Sequence, residues 1–116
     1  MLKREILEEL LKRDLASLEY PHSPLGSGIE GWKVFSFPTL GEAELFWAWP
    51  DDRRMAESGE KRSPFDNSIR TKRLTRILEI LRERGYIAEM NFAFEGSEMQ
   101  FPPSITITRV PLTPVD

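Results

Sequence analysis

The decapeptide "YIAEMNFAFE", residues 86–95, alternates without a break. Tyr86, Ala88, Met90, Phe92 and Phe94 fall on one side of an extended chain, and Ile87, Glu89, Asn91, Ala93 and Glu95 on the other. A period of two over that length describes a β-strand with one buried and one wet face. Directly before it, Leu74, Ile77, Leu78 and Leu81 recur at helical spacing, so a helix over residues 67–84 hands over to the strand through Gly85, placed for a left-handed stop. Asn67 or Ser68 is the expected cap of that helix. "SITITRV" repeats the alternation, with Ile105 and Ile107 inward and Thr106 and Thr108 outward, and "EGSEMQFPP" joins the two strands as a long hairpin loop.

The N-terminal half has the same plan with no aligned residues. A helix is expected over residues 2–18, its stripe built from Leu7, Leu10, Leu11, Leu15 and Leu18, with Glu8–Lys12 and Glu9–Arg13 as supporting pairs. The loop "PHSPLGSGIEG" follows, then strands at residues 32–37 and 42–49 around the turn "PTLG". In the second strand Ala43, Leu45, Trp47 and Trp49 share the core face. Pro50, Asp51 and Asp52 suit the start of a short helical turn over residues 51–58, closed by Gly59. The order is α-β-β-(short α)-α-β-β. One arrangement buries every stripe: an α+β two-layer sandwich, with an antiparallel sheet of about four strands and two amphipathic helices on one face. A single domain over residues 1–110 with a flexible tail, "PLTPVD", completes the expectation.

Composition narrows the function classes. With 116 residues, 40% of them hydrophobic, the chain can bury a core without metal or disulfide support, and the absence of cysteine excludes disulfides, thiolate metal sites and thiol nucleophiles. "MLKREILEELLKR" interleaves charge with leucine and has no leader-like apolar run, and no segment is long and apolar enough to span a bilayer. The expected address is the cytoplasm, with no membrane partner. Asn and Gln are scarce beside Arg and Glu, a weak sign of a thermophilic source.

Motifs for chemistry are thin. His22, the single histidine, lies in a loop near Ser23 and Ser27, but nothing in the spacing supplies an orienting acid or an oxyanion site. Glu42 with Glu44, or Asp51 with Asp52, are the carboxylate pairs on which a magnesium ion could be held; a solvated strand and a helix start explain them more simply. "GSGIEG" lacks both the preceding strand and the Lys-Ser/Thr ending of a phosphate loop. The expectation is therefore no enzyme, no metal and no small-molecule cofactor.

Two candidate binding surfaces remain. Residues 61–76 hold Lys61, Arg62, Arg70, Lys72, Arg73 and Arg76 against one acid, Asp66, so this region carries +5 and the rest of a chain totalling −3 carries −8. The basic helix followed by "GYI" and a hairpin resembles the recognition helix and wing of winged-helix proteins. That resemblance covers about the last half of the chain, rests on no specific motif, and implies nucleic-acid binding. Net acidity, and Glu79 and Glu83 beside Arg76, speak against it. The second surface is the first hairpin, residues 32–49, where Trp32 and Val34 oppose Phe35 and Phe37, and Phe46 opposes Trp47. Aromatic area on both faces needs a cover: the loop of residues 21–31, or a partner. The favoured expectation is a small non-enzymatic protein-binding or regulatory module that binds another protein or itself through Trp32, Val34 and Phe46. Nucleic-acid binding through the basic patch is the alternative.

Overall fold

The structure, a computed structural model, describes residues 4–24, 28–37, 42–60, 63–91 and 103–111. It is an α+β fold in the expected order: α1 (Arg4–Asp14), β1 (Gly31–Phe37), β2 (Glu42–Ala48), α2 (Asp52–Ser58), α3 (Pro64–Glu83), β3 (Ile87–Asn91) and β4 (Ser104–Arg109). The four strands form one antiparallel sheet in the order β1-β2-β4-β3, so β2 and β4 are central and β1 and β3 are edges. Residues 38–41, 92–102 and 112–116, which include the "PTLG" turn, Phe92, Phe94, most of the long hairpin loop and most of the tail, lie outside the described residues.

Strand parity holds across the sheet except at one irregularity, where Ile87 pairs with Arg109 and Ala88 with Ile107. Trp32 pairs with Trp47, Val34 with Leu45, Leu45 with Ile105, and Ile105 with Met90, so these side chains share one face. On that face Leu7, Leu11 and Leu15 from the N-terminal segment meet Leu74, Ile77, Leu78 and Leu81 of α3 in one continuous core. Each fully buried aliphatic side chain there contributes about 1.5–3 kcal/mol by leaving water. The Tyr86 hydroxyl donates to Asp14 Oδ2 at 2.5 Å inside the protein, pinning the end of α1 to the start of β3.

Two helix boundaries differ from expectation. The first helix ends at Asp14, not near residue 18. The chain tightens into a 3₁₀ turn over Ala16–Leu18 and exits through Glu19 in the left-handed conformation, which the tie of Asp14 to Tyr86 helps to fix. Its ion pairs shift accordingly: Arg4 meets Glu8, Lys12 meets Glu9, and Arg13 reaches Asp14. The third helix starts at Pro64, earlier than Asn67 or Ser68, because the Ser63 hydroxyl accepts from the Asp66 N–H at 3.1 Å and proline suits the first helical position. Its other end is a Schellman cap, with Gly85 N–H donating to the Arg82 carbonyl and Tyr86 N–H to the Leu81 carbonyl. The short helix α2 is present and contributes no buried residue. Asp52 anchors it by accepting from the Trp49 N–H at 2.8 Å.

Candidate functional site

The basic cluster of α3 divides in two. Arg70 and Arg73 precede Leu74 and Ile77 by one helical turn each, so they fall on the buried stripe and their guanidinium groups meet the tryptophans at the end of β2. Arg70 is 3% exposed, with its guanidinium 4.6 Å from the Trp49 ring centroid and an oxygen of Asp52 at 3.3 Å. Arg73 sits 4.6 Å over Trp47, whose other contacts include Tyr20 edge-on at 5.5 Å, and Glu30 lies 3.8 Å from Arg73. These are cation–π contacts closed by carboxylates, an arrangement that joins α3 to the sheet. Lys72 and Arg76 are exposed, and Arg76 pairs with Glu79 at 2.8 Å. Lys61 and Arg62 lie outside the described residues.

The aromatic hairpin also divides by face. Trp32 and Val34 are each 1% exposed and belong to the core, so they offer nothing for a partner to touch; helices α1 and α3 cover their side of the sheet. Phe46 projects from the opposite face, where it packs against Phe35 with ring centroids 5.3 Å apart, both rings half-buried. Around them on this outer face stand Lys33, Glu42 and Glu44, with Glu44 accepting from the Ser104 hydroxyl at 2.7 Å, and Glu89, Asn91, Thr106 and Thr108 continue it across β3 and β4. Phe35 is the residue of this surface that a hairpin-only reading undervalues. Its signal in the sequence was its parity with Lys33 and the diagonal to Phe46.

The other sequence candidates lie apart from these two surfaces or are engaged in the fold. His22 lies against Trp32, ring centroids 4.3 Å apart, and burial there lowers its pKa below the usual histidine value. Among the described residues neither His22 Nε2 nor the fully buried Ser23 hydroxyl has a hydrogen-bond partner, so the two are not hydrogen-bonded to each other as a nucleophile and its base would be. Glu44 is turned to Ser104, and Asp52 to Trp49 and Arg70. Among the described residues no three His, Cys, Asp or Glu side chains gather to hold a metal ion, and no helix is long and apolar enough to cross a membrane. The chain matches no protein-family model, no curated protein and no solved structure.

Proposed function

We propose that this chain is a small non-enzymatic protein-binding or regulatory module whose contact surface is the outer face of the sheet around Phe35 and Phe46. The observation that carries this reading is the aromatic pair itself, two phenyl rings stacked on the side of the sheet turned away from α1 and α3 and rimmed by Lys33, Glu42 and Glu44. An apolar centre with a charged rim is the anatomy of a protein interface. The described part of the preceding loop packs elsewhere: His22 lies on Trp32, an inner-face ring, and residues 21–23 follow the edge of β1. Weighing against the nucleic-acid alternative, two of the four described basic residues of the cluster are folded onto tryptophans and a third is paired with Glu79.

The test combines solution mass over a wide concentration range with recovery of bound protein and nucleic acid from the native host, for the wild type and for the double variant Phe35→Ser, Phe46→Ser. The expected result is a protein complex or self-association that the double variant loses while its circular dichroism is unchanged. A wild type that stays monomeric and recovers only nucleic acid would overturn the proposal.

A further inference from the structure

The two edges of the sheet are finished differently. On β3 the Ala88 carbonyl accepts from Arg82 Nε and Nη2 at 3.2 and 3.1 Å, so a side chain from α3 already occupies the place a further strand would take. On β1 the cover is short. Trp32 N–H donates to the Pro21 carbonyl at 3.0 Å and its carbonyl accepts from the Ser23 N–H at 2.8 Å, so the backbone of Trp32 faces away from β2. Alternation then turns the N–H and C=O of Val34 and Ser36 outward too, and those of Lys33, Phe35 and Phe37 toward β2. The four outward groups of Val34 and Ser36 meet no partner among the described residues.

We propose that a second copy of this chain pairs with this edge, β1 against β1 across a two-fold axis, joining two four-stranded sheets into one of eight. The inference rests on the protein-binding reading above and names its partner. The register follows from the groups left open. Antiparallel pairing with Val34 opposite the partner's Ser36, and Ser36 opposite the partner's Val34, uses all four on each side. A shift of two residues toward Trp32 runs into residues 21–23, which already hold its backbone. In this register the axis passes at Phe35, so the two Phe35 residues form a non-hydrogen-bonded pair with Cα atoms about 4.5 Å apart. Phe46, already against Phe35, extends this to a cluster of four rings across the junction.

Charge supports the same direction. On the outer face Lys33 stands toward one end of the hairpin and Glu42, opposite Phe37, toward the other. Reversal of one copy brings Lys33 opposite the partner's Phe37, one strand, or roughly 5 Å, short of the partner's Glu42. A parallel arrangement would set lysine beside lysine.

The chain has no cysteine, so a single introduced one reports the register. Phe35→Cys is expected to give a disulfide-linked dimer under mild oxidation. Lys33→Cys is not, because its two copies lie about 13 Å apart, four residues of strand, beyond disulfide reach. Ser36→Pro removes an N–H that β2 does not use, so the fold survives while two hydrogen bonds are lost per dimer, weakening association by roughly 30-fold or more. Sedimentation of the wild type at tens of micromolar should show a dimer. Four results overturn the inference: a wild type that is monomeric at several hundred micromolar; a dimer whose Phe35→Cys form does not cross-link; cross-linking through Lys33→Cys as readily as through Phe35→Cys; or a folded Ser36→Pro variant that dimerises as tightly as the wild type. If a different protein is captured and lost with Phe35→Ser, Phe46→Ser while the chain itself stays monomeric, this inference fails and the broader binding reading stands. If nothing binds, both fail.

Discussion

Replacing Gly31 with alanine tests how the edge of β1 is closed. A Cβ at this position would lie 2.1 Å from the Pro21 carbonyl oxygen and 2.7 Å from its carbon, so backbone has to move by more than an ångström. The movement separates the two strands of hydrogen bonding at Trp32, at 3.0 and 2.8 Å, each worth about 1 kcal/mol net. If residues 21–23 are held in place instead, the strain taken up locally is about 1–3 kcal/mol. The expected loss is therefore roughly 2–5 kcal/mol, a fall in Tm of roughly 8–20 °C for a domain of this size. Urea unfolding followed by tryptophan fluorescence gives the first number, and amide exchange at Trp32 and Ser23 shows whether their bonds have opened. A change under about 0.5 kcal/mol with unchanged protection would refute the close-approach argument. Opening this cover would also free the Trp32 backbone and lengthen the available edge, so an altered cross-linking pattern in the same variant is expected.

Tyr86→Phe should cost about 1–3 kcal/mol by leaving the buried Asp14 carboxylate short of a donor. Burial, reinforced by the bond to Asp14, raises the Tyr86 pKa well above its ordinary value of 10, so wild-type stability is complete below pH 10 and falls as pH rises beyond it, a slope the phenylalanine variant lacks in an alkaline unfolding series. His22 behaves in the opposite sense: burial lowers its pKa below 6.5, the unfolded chain takes the proton first, and stability is complete above pH 6.5 and declines as pH falls toward the folded value. His22→Gln should remove that part of the acid limb. Leu78→Ala, in the core between α3 and the sheet, should lose about 2–4 kcal/mol in urea titration. Lys72→Ala with Arg76→Ala should change stability by about 0.5 kcal/mol or less, and labelled DNA and RNA at low salt should bind neither that variant nor the wild type; micromolar binding lost in the variant would restore the nucleic-acid reading.

Most of the fold was legible in the sequence because its strands bury one face and its long helix one stripe, and both leave a period in the residues. Tyr86, Ala88, Ile105 and Ile107 lie inward as their alternation indicates, and Ile87 outward. The start of α3 lies at Pro64 and not at "NS" because "SP" at residues 63–64 combines a cap hydroxyl with a proline suited to the first helical position, a stronger signal than Asn67 or Ser68 alone. The candidate site was less legible. A charge count treats six cations as one patch, whereas the i+4 relation of Arg70 to Leu74 and Arg73 to Ile77 already placed two of them inward. What no local pattern reveals is that Trp49 and Trp47, 21 and 26 positions earlier in the chain, are the rings that Arg70 and Arg73 meet. The choice between Trp32 and Phe35 as the surface aromatic depended on which face the helices cover, a tertiary fact.

The strand order β1-β2-β4-β3 places each hairpin beside its own sequence neighbours and joins the two at a seam of β2 against β4. Helices α1 and α2 with strands β1 and β2 thus form one half, and α3 with β3 and β4 the other. They are joined by the shared apolar core, the β2–β4 ladder, the Asp14–Tyr86 bond and the arginine–tryptophan contacts, all of them made between distant parts of the chain. A chain cut between Glu60 and Ser63 would break none of those contacts, so the two fragments, mixed, are expected to reassociate, which circular dichroism of the mixture against the separate fragments would show.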